Sequence, residues 1–325
     1  MKAKMLVYLL PALILATIHL AEAQQPKIYH VGVLLPGDVW QEIIDGLRVG
    51  LRALGFEEGK QFVLDIRNTK GDLKAAEADA KSLEQRNVDL IYAARTSVTI
   101  PARRATKDIP IVFCAGTDPV ALGLVESFAK PGGRLTGVYE PSTDLIAKRM
   151  AILKEIVPKL GRVLTFYDPR NPVATESVKL AREEAARQMG VQVIERHVAS
   201  GEEVQAAVRA LKAGEVDAYF QVSDSMVNNQ VQHIINAALV KKFPTMLIDQ
   251  ANVAKGGLAS YSVNYYEVGR LSAKYVQRIL SGVRPSDLPV EGVDKLLLII
   301  NLKTAKQIGL TIPPNVLARA DRVIK

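Results

Sequence analysis

Small hydroxyls and carboxylates recur where the apolar stretches of this 325-residue chain end, in pairs able to hold a polar solute. In the first half they are Asp38 with Trp40, Thr96 with Ser97, and Thr117 with Asp118; in the second half, Tyr167 with Asp168, Ser223 with Asp224, and Asp249 with Gln250. Ser97 and Thr96 are placed to hold a carboxylate through their hydroxyls and the free N–H groups of the helix behind them. A ligand ammonium needs an anion, and Asp118, Asp224 and Asp249 are the candidates. Trp40, the only tryptophan, would either cover an apolar or aromatic side chain or pack into the core. Each of these residues has a plainer use. Thr, Ser and Asp are preferred helix N-caps, and Asp118-Pro119 and Asp168-Pro169 fit Asp as cap with Pro at the first helical position. The expected ligand set is thus Trp40, Thr96, Ser97, Thr117, Asp118, Tyr167, Asp168, Ser223, Asp224 and Asp249, with capping and ligand contact open for each.

Catalytic chemistry is not assembled by the same reading. His30, His197 and His233 are far apart and fit no metal-ligand spacing such as HExxH, and His19 precedes them near the start of the chain. There is no GxSxG nucleophile elbow, no GxxxxGK[ST] and no GxGxxG. Cys114, the only cysteine, ends the apolar run Ile111-Val112-Phe113 and reads as a buried, inert thiol that can form no intramolecular disulfide. No enzyme, no cofactor and no metal are expected.

The elements that must position the strand-end residues alternate. Tyr29 to Leu35, Phe62 to Arg67, Asp89 to Ala94 and Ile109 to Cys114 read as strands, separated by helical spacing at Ile43, Ile44, Leu47, Leu51 and Leu54 and at Leu73 to Arg86. After Lys130-Pro131-Gly132-Gly133 the pattern restarts, with strands at Arg162 to Phe166, Val191 to Val198, Ala218 to Val222 and Thr245 to Ile248. Strands alternating with helices predict parallel sheets covered on both faces, and ligands bind at the carboxyl ends of such strands. Hydrophobic residues make up 48% of the chain and charged ones 23%, enough for two packed α/β lobes rather than disorder. The net charge of +8 is spread among acidic residues, with no dense basic run, so no nucleic-acid face is expected.

Lys2 and Lys4, an apolar stretch from Met5 to Leu20, and Ala21-Glu22-Ala23 predict an export signal cleaved after Ala23, hence a periplasmic protein without stable membrane insertion. The crossings between lobes are expected near Val138, at Gly256-Gly257 and at Arg284-Pro285. That gives a signal peptide at 1–23, a first lobe of 24–138 plus 258–283, and a second of 139–257 plus 284–325.

Several segments resemble the ABC-transporter substrate-binding family that includes proposed tryptophan- and tyrosine-binding proteins. They are Ile109-Pro110-Ile111-Val112-Phe113, Asp118-Pro119-Val120, Ala129-Lys130-Pro131-Gly132-Gly133 with Leu135-Thr136-Gly137-Val138, Leu153-Lys154-Glu155-Ile156-Val157-Pro158 and Gly256-Gly257-Leu258. The most specific run from Leu288-Pro289-Val290 through Ile299-Ile300-Asn301-Leu302-Lys303-Thr304-Ala305 to Gly309-Leu310-Thr311-Ile312-Pro313. The resemblance implies the class I periplasmic binding protein fold: two Rossmann-like lobes with parallel sheets, three crossovers forming a hinge, and a cleft that closes on a small ligand. It also implies an ABC permease and its ATPase as partners of a monomeric binding protein. Where relatives often carry a Gly-Thr turn after the third strand, this chain has Ala94-Arg95-Thr96-Ser97, which is expected to change the charge of the pocket. The ligand expected on these grounds bears a carboxylate and is an amino acid, aromatic or branched. A periplasmic sensor module serving a receptor is the alternative, since it would use the same closure.

Overall fold

The computed structural model describes residues 27–325, and the leader expected at 1–23 lies outside them. The first sheet contains β1 (Tyr29–Leu35), β2 (Phe62–Asn68), β3 (Leu90–Ala94), β4 (Ile111–Ala115), β5 (Leu135–Tyr139) and β11 (Glu291–Gly292), in the order β11-β5-β4-β3-β1-β2. All of its pairings are parallel. The second contains β6 (Arg162–Tyr167), β7 (Gln192–His197), β8 (Ala218–Phe220), β9 (Thr245–Leu247), β10 (Ala259–Val263), β12 (Leu296–Asn301) and β13 (Arg322–Ile324), in the order β13-β12-β10-β9-β8-β6-β7. Only β10 and β12 run antiparallel there.

Burial on both faces explains the unbroken apolar runs of the central strands. Leu90 to Ala94 and Ile111 to Ala115 are buried at every position, as parallel strands roofed by helices must be. Each sheet accordingly has an apolar cluster on either side, one pair of clusters in each lobe. In the first lobe, helix α1 (Gln41–Ala53) turns Ile43, Ile44, Leu47 and Leu51 inward. The helices that follow are α2 (Leu73–Gln85), α3 (Thr96–Ala105), α4 (Ile146–Ile156), α5 (Pro172–Lys179), α6 (Gly201–Ala210), α7 (Ser225–Asn228), α8 (Val231–Lys241), α9 (Gln250–Ala254) and α10 (Tyr265–Leu280). Helix α10 lies against α1 so closely that their backbones touch at glycines. A Cβ on Gly46 would fall 1.9 Å from the Tyr266 carbonyl, and one on Gly269 would fall 1.8 Å from that of Ile43.

Two of the expected crossings are corrected. The chain leaves the first lobe just after Tyr139, close to the expected place, but it returns only after Val263, because β10 pairs with β9 and β12 inside the second sheet. Gly256-Gly257 is instead the turn that joins α9 to β10: the Gly257 N–H donates to the Asn252 carbonyl, and Gly256 has φ 113°. The third crossing falls at 293–295, since β11 is still bonded to β5; Arg284-Pro285 only opens a short 3-10 turn. Helix α10 is therefore in the first lobe as expected, whereas strand β10 is in the second. No helix among the described residues is long and apolar enough to cross a membrane.

Candidate functional site

The carboxyl ends of the strands of both lobes meet at one pocket. β3 ends at Ala94, Arg95 takes φ 119° and ψ 152°, and α3 begins at Thr96. The Thr96 hydroxyl accepts hydrogen bonds from the N–H groups of Gly116 at 2.9 Å and Thr117 at 3.3 Å, which fixes the loop after β4 against the start of α3. Trp40 closes a short 3-10 turn after β1 and is 1% exposed. Across the cleft, Ser223 comes from the turn between β8 and α7, Ser225 and Asn228 from α7 itself, and Val173 from the first turn of α5. Together with Trp40, Arg95, Thr96, Ser97, Gly116 and Thr117, they enclose ≈ 280 Å³ of empty space, part of it open to solvent.

The lobes touch around this pocket. The Ser97 and Ser225 hydroxyls are 2.8 Å apart, and the Asn229 amide donates to the Pro36 carbonyl at 2.9 Å. Three buried polar atoms on the pocket-lining residues have no hydrogen-bond partner: Trp40 Nε1 and Thr117 Oγ1 from the first lobe, and Ser223 Oγ from the second. Buried donors and acceptors are nearly always paired, so three unpartnered ones on the lining of a single pocket suit it to contact with a polar solute.

The pocket is walled by buried charge. The Arg95 guanidinium stands over two rings, with its Cζ 4.3 Å from the centroid of Trp40 and 4.9 Å from that of Tyr265. It forms an ion pair with Glu140, the first residue of the first crossing, whose other carboxylate oxygen accepts from the Ser142 hydroxyl at 2.8 Å. Burial opposes charge on both partners, and the Glu140 carboxylate holds Arg95 protonated against it. Arg149 of α4 is 1% exposed, donates to the Ser142 carbonyl at 3.1 Å and has no ion-pair partner among the described residues. Burial pushes it down to about 10. Cys114, at the end of β4, is buried and its thiol is pushed up to about 12, again by burial.

Of the ten residues expected at the site, the structure brings Trp40, Thr96, Ser97, Thr117 and Ser223 to the pocket. The aspartates sit elsewhere. Asp224 caps α7 through the Val227 N–H at 3.1 Å and also accepts from the Asp168 N–H at 2.9 Å. Asp249 caps α9 through the Ala251 N–H at 2.7 Å and receives the Asn252 amide at 3.3 Å. Asp118 accepts from the N–H groups of Val120 and Ala121. Asp168 is paired with Arg170 at the rim of the cleft. The Tyr167 hydroxyl is taken up by Glu195 and His197, each at 2.7 Å. Ser225, Asn228, Glu140, Arg149 and Tyr265 escaped the sequence reading. Ser225 follows Asp224 directly, and inspection one residue further along would have found it. The other four lie inside helices or at a crossing, where residue type carries no positional signal.

The profile of the family described as ABC transporter substrate binding protein matches residues 29–324. A tyrosine-binding protein of Clostridioides difficile is 28% identical over 82% of this chain and 76% of its own length. The crystal structure of a domain in complex with L-Trp from Streptococcus pneumoniae superposes with TM-score 0.81 at 27% identity, covering 92% of this chain and 100% of the other. A ligand-free, open substrate-binding protein from Clostridium difficile covers 92% of this chain and 99% of its own at 28% identity, with TM-score 0.62. The two α/β lobes have the class I periplasmic binding protein architecture. The match runs through both lobes and includes the strand ends that form the pocket, so the chain belongs to the ABC transporter substrate-binding protein family, a family of solute-binding proteins rather than enzymes.

Proposed function

We propose that this protein is the periplasmic, monomeric binding subunit of an ABC importer, capturing a small carboxylate-bearing solute of amino-acid size between its lobes for a permease and its ATPase. The observation that carries the reading is the set of orphaned polar atoms. Thr117 Oγ1 and Trp40 Nε1 belong to one lobe and Ser223 Oγ to the other, so one solute bonded to all three would tie the lobes together. The charge nearby fits an anion. Arg95 and Arg149 are two buried cations, Glu140 is a buried anion that interacts with both, and the three aspartates expected to face an ammonium are occupied with backbone N–H groups. The superpositions support a closed arrangement: at nearly equal identity, the chain matches the L-Trp complex better than the open, ligand-free protein.

The solute released on denaturing the purified protein, identified by mass spectrometry, should carry a carboxylate. Titrated back by calorimetry, it should bind Thr117→Val and Ser223→Ala roughly ten- to a hundredfold more weakly, since a hydrogen bond to a charged group contributes about 1.5–3 kcal/mol. Asp224→Ala should instead lose about 1 to 2 kcal/mol of stability and keep its affinity, as a cap does. Undiminished affinity in both hydroxyl variants would overturn the site.

A further inference from the structure

Three groups converge on the end of the pocket nearest the hinge. Trp40 and Tyr265 meet edge to face with centroids 5.0 Å apart, which makes a corner of two aromatic surfaces. The guanidinium of Arg95 occupies that corner. Glu140 holds it from another side, and the backbone of Gly116 bounds the pair: a Cβ on Gly116 would fall 2.4 Å from Glu140 Oε1 and 3.1 Å from Arg95 Nη2. We propose that Arg95 is the specificity-determining residue of this pocket, covering the corner that Trp40 and Tyr265 make so that the site takes a small non-aromatic carboxylate and turns away aromatic side chains.

The proposal rests on the function proposed above and narrows its ligand class. A ligand ring and a guanidinium compete for the same ring faces, and here the guanidinium is fixed by two aromatic contacts and a buried ion pair. The space left is narrow: a water-sized sphere can move its centre through only ≈ 10 Å³ of it, so as it stands the pocket has no room for an aromatic side chain beside the guanidinium. The backbone gives an independent sign. Arg95 has φ 119° with ψ 152°, a conformation that glycine adopts freely and that strains any residue with a Cβ. An arginine kept at such a position is held there by what its side chain does. What it does is neutralise Glu140, cover both rings and present positive charge to the cleft, and that charge favours a carboxylate.

The experiment is calorimetric titration of wild type and Arg95→Gly with L-tyrosine, L-tryptophan, L-alanine and succinate. The wild type should give no binding heat with either aromatic amino acid, and Arg95→Gly should bind at least one of them at least roughly tenfold more tightly, the order expected when a pocket gains room for a bulky group. Because removal of Arg95 leaves Glu140 buried and unpaired, the double variant Arg95→Gly, Glu140→Gln is measured alongside, and melting curves show which variant is folded. Wild-type binding of L-tyrosine or L-tryptophan as tight as that of the variants would overturn the proposal, as would a folded variant that still refuses both. Should the wild type refuse L-alanine and succinate, and its co-purifying solute lack a carboxylate, the failure falls on the carboxylate reading of the site. Gain of aromatic binding in the variants would still establish the role of Arg95.

Discussion

Glu42 of the first lobe and Asp249 of the second lie near enough to repel each other, and burial weighs on both carboxyls. Burial, then repulsion from Asp249, pushes the Glu42 carboxyl from its ordinary 4.5 up to about 7, and one of its oxygens is buried without a partner. Burial raises Asp249 to about 6, against the pull of the Ala251 N–H, Lys255 and Arg95. Folding thus favours the neutral form of both groups. The stability they allow is fully present below their ordinary carboxylate range and is lost as pH rises through about 6 to 7. We expect the melting temperature to fall across that window, by an amount on the order of 1–3 kcal/mol of unfolding free energy, and Glu42→Gln to flatten the profile. A wild-type profile without slope there would contradict the coupling. The sequence showed the hydroxyls of this site better than its carboxylates. Thr117 and Ser223 stand two and three residues past the ends of β4 and β8, and both line the pocket. An aspartate at the same place has a strong local alternative, the N–H groups two or three residues ahead, and Asp118, Asp224 and Asp249 all take it.

At the scale of elements, contact between α1 and α10 decides which lobe the last long helix joins. Gly269→Ala puts a Cβ 1.8 Å from the backbone carbonyl of Ile43, which no side-chain rotation can relieve. The helices would have to separate, at about 1–3 kcal/mol, more than the gain of up to about 1 kcal/mol in helix propensity. A lower melting temperature is therefore expected, and a raised one would show that the helices are not in backbone contact. The strands of both sheets were legible because runs such as Ile111 to Cys114 are apolar throughout. The short edge strands β11 and β13 were not, having only two and three residues. Nor was the lobe of β10, because its antiparallel partner β12 lies beyond the whole of α10, and pairing over such a distance leaves no trace in local pattern. The glycines 256 and 257 signalled a break in the chain correctly; that the break was a turn rather than a crossing depended on the Asn252 carbonyl waiting to receive it.

For the molecule as a whole, closure relies on bare backbone at the rim. A Cβ on Gly37 would lie 1.8 Å from Asn229 Oδ1 in the other lobe. Gly37→Ala should displace Asn229 from the Pro36 carbonyl, removing one cross-lobe bond worth about 1 kcal/mol and weakening solute affinity about five- to tenfold. Small-angle scattering of the loaded variant should show a larger radius than loaded wild type, while each lobe melts as before. Unchanged affinity and radius would mean that this contact plays no part in closure. The three crossings lie side by side and are joined to one another. The Val293 N–H donates to the Tyr139 carbonyl at 2.9 Å, and the Ser142 and Tyr265 hydroxyls are 3.4 Å apart. Three adjoining spans can bend together but resist twist and slip, so motion of the lobes is expected to follow a single path. The closed rim is then the same shape whichever solute lies beneath it. In the transport role proposed above, a partner docking on that rim would read whether the cleft is occupied, with no need to read by what.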